Sequence, residues 1–303
     1  MNSEYQQSYP HGIMFHRFYG DNIPVLQGAI DSNQLENLIL KIGIERILSP
    51  NEWLDKIRNN RLENHHVCLT FDDCLKSQIL VADPILKKYN LTAFYFIHSL
   101  TFFGEIDFNE VFSNIISSKY HSIDEFMNDF VSYINLDEDV FFDKKYITFH
   151  ELMKSNYSFY SNSDIRYRYL RNIFYGYASF NKLMKKYFTE KNYMDNIDVK
   201  SIWMDENDLS SLSKSGNMIG LHSYSHHINF KDLSYDEQKQ EYEKNKAHLE
   251  NLIGYKITSA SHPLGSYNLD TIKIFNELAI ECAFRSNNSI PGDKNSINPN
   301  NLE

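Results

Sequence analysis

Four polar residues in two short segments are of the types that bind a metal ion and activate water. Asp72 and Asp73 end the run VCLTFDD, and His222 and His226 stand four apart in MIGLHSYSH. Adjacent aspartates supply one oxygen ligand and one candidate base, and two imidazoles at this spacing reach one divalent cation. Each segment is an apolar, strand-like run that ends in these polar groups. A third segment, SHPLGSYN from Ser261 to Asn268, follows another short strand-like run, ITSAS.

Strand and helix signals alternate on both sides of these motifs. GIMFHRF reads as a short strand, and Asp31 with Gln34 has the pattern of a capping box for the helix that follows. ERILS reads as a brief strand, after which Ser49-Pro50-Asn51-Glu52 is a helix start with an N-cap, Pro in the first turn and Glu three on. VCLTF is a buried strand, KSQILVADPILKKYN a helix with an internal Pro84, and TAFYFI a strand. After Met204 come a helix (DENDLSSLSKSG), the strand NMIGLH, a helix opened by the Ser234–Glu237 capping box, ITSAS, the helix YNLDTIKIFNELA and a last strand, IECAF. Alternation of this kind predicts parallel strands with crossover helices. Asp72 and Asp73, His222, and Pro263 then all fall at C-terminal strand ends, where parallel α/β barrels gather their active sites.

The pattern breaks between 101 and 200. NEVFSNIISS, SIDEFMNDFVSYI and RYRYLRNIFYGYASFNKLMKKYF carry aromatic and aliphatic residues at helical spacing with little strand signal. The expected organisation is residues 1–100 as the first part of a barrel, 101–200 as a helical insertion (a cap or an oligomer interface) and 201–303 as the second part. The polar tail from Ser286 to Glu303 reads as loop.

Composition narrows the classes. The 303 residues carry a net charge of -10, which argues against a nucleic-acid backbone or an anionic membrane as main partner. Tyr and Phe number 21 each, enough for a packed core with aromatic-lined clefts. MNSEYQQSYPHG lacks the basic start and apolar core of a signal peptide, and LTAFYFIHSLTFF is too short to span a bilayer. Cys68, Cys74 and Cys282 form no disulfide framework and no CxxC pair. A reduced, cytoplasmic protein is expected.

TFDD (Thr70 to Asp73), HSYSH (His222 to His226) and PLGSYN (Pro263 to Asn268) resemble the motifs of the polysaccharide deacetylases, the NodB-like carbohydrate esterases. The flanks LTFDDCLKSQ and GIMFHRF are similar too, so the resemblance covers roughly residues 10–100 and 200–290. It implies a distorted (β/α) barrel of the NodB type carrying a helical insertion. It also implies a divalent metal, zinc by default, held by Asp73, His222 and His226, with Asp72 as general base. By the same resemblance the backbone N–H of Leu264 would stabilise the oxyanion. His262 is a candidate proton donor, and His16, Pro263 and Tyr267 are candidate substrate-lining residues. His227 is expected to point elsewhere, and Asn268 to start the next helix.

The chain departs from the pattern in places. Cys74 stands where Gly is usual after the aspartates, and a slightly different turn is expected there, since a positive φ costs a residue with a Cβ. Ser261 stands where an Arg commonly orients the base. The late motifs that tune the base and supply a His acid are not recognisable before Glu303, so another acid or a missing final strand is expected. The leading expectation is an N-deacetylase acting on an acetamido sugar or glycan precursor. A metal-dependent hydrolase of a small non-sugar amide or formamide, and a catalytically inactive carbohydrate-binding relative, are the alternatives.

Overall fold

The computed structural model describes residues 9–195 and 197–286. The first eight residues and the tail beyond Ser286, about which the sequence predicted absence of a leader and a loop, lie outside the described residues. The chain divides into two compact units, one made of residues 1–106 and 200–303, the other of 107–199.

The first unit is a six-stranded, all-parallel sheet in the order β1 to β6, curled into a nearly closed barrel with helices around it. The strands are β1 His11–Phe15, β2 Val67–Phe71, β3 Phe94–Ile97, β4 Met218–Leu221, β5 Ser259–Ser261 and β6 Cys282–Phe284. The helices of this unit that precede the second are α1 Ser32–Ile42, α2 Pro50–Arg58 and α3 Asp83–Lys88. Every residue of β2 is buried, as expected of a parallel strand covered on both faces. One side of the strands faces the barrel interior, where Cys68, Phe94, Phe96 and Cys282 pack with Trp53, Leu48 and Leu54. The other side carries Phe71 and Tyr95, stacked at 4.7 Å.

Two glycines let this interior fill. A Cβ on Gly12 of β1 would stand 2.8 Å from the Phe284 ring of β6, so the two edge strands approach across a ring with no room for a side chain. A Cβ on Gly220 of β4 would meet the Phe96 ring at 2.5 Å and Ser259 Oγ at 2.7 Å. The strand that leads to His222 therefore passes directly over a buried aromatic ring.

Local chemistry accounts for the helix starts. The capping boxes of Asp31 with Gln34 and of Ser49 with Glu52 are both formed, the second with Pro50 at the first turn. Two predicted elements differ. ERILS is not a strand: Ile44–Arg46 forms a 3₁₀ turn, and Ile47 makes only a single bridge to Val67. The helix predicted around Pro84 is a π turn, Gln78–Ala82, running into α3 with Pro84 at its first turn. Proline has no N–H for residue 80 to accept, and the wider turn leaves space for its ring.

The second unit is helical: α4 Phe108–Lys119, α5 Ile123–Tyr133, α6 Lys144–Asn156, α7 Asn162–Tyr169 and α8 Tyr177–Glu190. Its core is aromatic, with Phe126, Phe130, Phe180, Tyr187 and Phe188 all buried. Asp129 sits among Tyr120, Tyr187 and Lys191, which supply its hydrogen bonds and countercharge. α6 lies outside the three helical stretches expected from sequence, and Tyr146 is its one buried residue among those described.

The chain returns to the first unit with α9 Glu206–Lys214, α10 Tyr235–Ile253 and α11 Leu269–Glu277. Ser234 and Glu237 form the capping box of α10, and Asn268 caps α11. No described helix is long and apolar enough to cross a membrane.

Candidate metal centre

The C-terminal ends of the strands deliver the polar residues to one place. His16 follows β1, Asp72 and Asp73 follow β2, His222 follows β4, and Ser261 ends β5. Asp73 Oδ1 lies 3.3 Å from His222 Nε2 and 3.3 Å from His226 Nε2. One atom from each residue falls within 4.8 Å of the others. Two ligands bonded at about 2.0–2.1 Å to a tetrahedral ion stand about 3.3 Å apart, so the trio fits a zinc-sized cation. The donor set, one carboxylate and two imidazoles, also suits cobalt, nickel or iron.

The tautomer of His222 agrees with that use. Its Nδ1 lies 3.0 Å from the carbonyl oxygen of Ser261, which can only accept, so Nδ1 carries the proton. The lone pair is left on Nε2, facing Asp73. Burial by itself pushes the Asp73 carboxyl up, but His226, His16 and His222 beside it outweigh that and hold it well below the usual carboxylate range.

Asp72 is buried beside this trio. Its Oδ2 accepts a hydrogen bond from the Ser261 hydroxyl at 3.0 Å, and its Oδ1 is buried without a hydrogen-bond partner among the described residues. His16 Nε2 faces both carboxylates, 3.9 Å from Asp72 Oδ2 and 3.8 Å from Asp73 Oδ2, on a side chain 37% exposed. The Gln78 amide ties the two strand ends together, donating to the carbonyls of His16 at 2.9 Å and Asp72 at 2.6 Å.

The backbone here is strained. Asp73, Cys74, Ser223, His226 and Leu264 all have φ between 53° and 75°. Such a conformation costs a residue with a Cβ roughly 1–2 kcal/mol, so the structure around each of them must hold it in place. Cys74 itself takes the positive φ that costs a residue with a Cβ. It keeps the left-handed conformation (φ 60°), is fully buried, and burial pushes its thiol up, away from the thiolate that metal binding needs.

The third segment is split. Pro263 is buried, and Leu264 projects from the turn with its side chain 57% exposed. His262 does not join the carboxylates. Its ring lies between Tyr267 at 4.1 Å and Phe275 at 5.2 Å, with neither nitrogen hydrogen-bonded among the described residues. Burial, with His222 and Arg285 adding to it, pushes it down to about 3, so at neutral pH it holds no imidazolium proton to give. Tyr267 is itself buried, with its hydroxyl accepting from Arg285 at 3.2 Å. Its ring thus serves the packing around His262. His227 is exposed.

Three site residues escaped the sequence reading. Ser261 was visible only as the loss of an arginine, yet it is the residue that holds Asp72. Gln78 carried no signal. Asn245 did: Gln238, Tyr242, Asn245 and Leu249 make up the buried stripe of α10, and polar residues on such a stripe need partners.

Comparison with known proteins finds one matching family profile and several solved structures of similar fold. Residues 173–283 match the family profile "Polysaccharide deacetylase", a span that includes His222, His226 and the Pro263 turn. The fold is similar to a Streptococcus pyogenes deacetylase, PplD, in complex with acetate (TM-score 0.53, 16% identity, 93% of this chain and 85% of that one). It is similar to IcaB from Ammonifex degensii (TM-score 0.54, 13% identity, 92% and 84%). A de-N-acetylase from Aggregatibacter actinomycetemcomitans gives a TM-score of 0.53 at 13% identity, covering 91% and 87%. No curated protein matches the sequence significantly.

Proposed function

We propose that this chain, which contains a polysaccharide deacetylase domain, is a metal-dependent hydrolase that removes the acetyl group from an acetamido sugar of a glycan or glycan precursor. The observation that carries the reading is the convergence of Asp73, His222 and His226 beside a buried Asp72 whose Oδ1 has no other partner among the described residues. A divalent ion, zinc by preference, held by that trio supplies Lewis-acid polarisation of the amide carbonyl and an acidified water.

The protein's own groups then divide the work. Asp72, held through Oδ2 by Ser261, presents Oδ1 as the base that takes the water proton. The turn at Pro263–Gly265, with Leu264 at φ 53°, offers the Leu264 N–H as the backbone donor to the oxyanion, a role that tolerates any side chain. The leaving amine needs a proton. His262 is too deeply buried to supply one, whereas His16 Nε2 faces both carboxylates from a half-exposed position, and it takes the acid role in this reading. Acetate is the expected co-product, and the S. pyogenes deacetylase of similar fold was solved in complex with it.

The test pairs elemental analysis of the purified protein with acetate release from UDP-N-acetylglucosamine, other acetamido sugars and their oligomers. One equivalent of metal with acetate release supports the reading. Metal with release only from small non-sugar amides or formamides would move the substrate class. Failure to bind zinc, cobalt or nickel would remove the metal chemistry and favour a carbohydrate-binding role.

A further inference from the structure

The β3·β4 ladder ends at the pair Ile97–Leu221, immediately before His222. One residue further, a parallel ladder would give the His222 N–H and the Ile97 carbonyl strand partners. Instead the side-chain amide of Asn245, fully buried on α10, takes up both. Its Oδ1 accepts from His222 N at 3.1 Å, and its Nδ2 donates to Ile97 O at 2.9 Å and to Ser99 Oγ at 2.8 Å. The amide thus stands in for a peptide unit at the point where the ladder stops and the histidine loop begins.

The same helix face reaches the rest of that loop. Glu241, one turn before Asn245, accepts from Ser225 N at 2.7 Å. His248, one turn after, meets Ser99 Oγ at 2.9 Å. From the other side the backbone N–H groups of Ser99 and Leu100 donate to the Tyr224 carbonyl at 3.1 and 2.9 Å. The segment His222–His226 has no regular structure of its own, and it carries two residues with positive φ, Ser223 and His226. It needs external bonds to hold two imidazoles on one point.

We infer that Asn245 is a positioning residue for metal binding: its amide, bridging the ends of β3 and β4, sets the backbone of His222 so that both imidazoles meet Asp73. The inference rests on the metal reading above. It predicts that Asn245 governs affinity for the ion more than it governs stability. Asn245→Leu, close in volume, removes the acceptor for His222 N and both donor bonds. Asn245→Asp keeps an acceptor for His222 N and loses the donors.

The experiment is competition of the metal-free proteins with a chromophoric zinc chelator, alongside thermal unfolding without metal. The expected zinc Kd for Asn245→Leu is 10- to 100-fold weaker than wild type, the range seen when groups supporting metal ligands are removed. Asn245→Asp should fall between the two. Both variants binding zinc as wild type does, with only a lower Tm, would make Asn245 structural and overturn the inference. Should Asn245→Leu not fold, Asn245→Asp decides alone: clear weakening supports the inference, and an unchanged Kd overturns it. Wild type that binds no zinc fails the metal reading itself and takes the inference with it, whereas wild-type binding lost in His226→Ala shows that reading to hold.

Discussion

The hydroxyl of Ser261 donates to Asp72 Oδ2 at 3.0 Å while its carbonyl oxygen accepts from His222 Nδ1 at 3.0 Å. One buried residue at the end of β5 thereby orients both the proposed base and a proposed metal ligand. The two bonds come from different parts of the residue, which makes them separable by mutation.

Ser261→Ala removes the side-chain bond and keeps the carbonyl. Turnover should fall, by about 10-fold or more for a buried carboxylate released from a hydrogen bond worth about 1.5 kcal/mol or more, while zinc affinity stays within a fewfold of wild type. Steady-state kinetics and a zinc titration on the same preparation check both halves. Parallel loss of metal would mean that the serine supports the whole site rather than the base.

Asp72→Asn and His226→Ala should fail in different ways. In the proposed mechanism the first removes the base but no ligand, so metal content should persist while turnover drops by about 10²–10⁴-fold. The second removes a proposed ligand, so metal and activity should go together. Substantial turnover in Asp72→Asn would dismiss Asp72 as base, and stoichiometric metal in His226→Ala would dismiss the ligand set.

His16→Gln should keep metal and lose turnover, by about 10²-fold or more if it delivers the proton to the leaving amine. Substrates with better leaving groups should regain much of the loss. An equal loss for all leaving groups would argue for a role in orienting the carboxylates instead.

His262 makes a prediction about stability and pH. Its value is depressed to about 3 in the folded protein, so between pH 6.5 and 3 the unfolded chain binds a proton that the folded chain does not. The contribution is present above pH 6.5 and is lost as pH falls, at up to about 1.4 kcal/mol per unit. Buried His66 and half-buried His248 are lowered in the same direction, so the comparison must be with a variant. His262→Phe, in a slot already walled by Tyr267 and Phe275, should flatten the fall between pH 7 and pH 5 in urea titrations. Parallel curves for variant and wild type would show that His262 titrates normally.

Gly220→Ala should destabilise by about 1–3 kcal/mol, since the added carbon would meet the Phe96 ring at 2.5 Å. Thermal unfolding reads it directly. A neutral result would show that the Phe96 ring yields freely and that the barrel interior is looser than its packing indicates.

Much of this protein was legible in its sequence because the signals were local. Capping boxes at Asp31, Ser49 and Ser234 depend on residues three apart, and they form as read. Apolar runs ending in Asp72 and in His222 marked strand ends, and aromatic spacing marked helices between 101 and 200. The elements misread were those where the chain obeys a neighbour: ERILS lies against β2 through a single bridge, and Pro84 turns a predicted helix into a π turn followed by a short helix.

The types of the residues, Asp-Asp and His-x₃-His, also determined the chemistry open to the chain. What they could not state is which long-range bonds hold them. Ser261 looked like a missing arginine, and only the meeting of β2 and β5 ends, 189 positions apart in sequence, turns it into a partner of Asp72. His262, in a motif, looked available for proton transfer, and the packing of Tyr267 and Phe275 removes it. Asn245, in no motif, lies between two strand ends and takes over where their ladder stops. Residue type travels with the sequence. Burial, partner and protonation are properties of surroundings that the folded chain alone assembles.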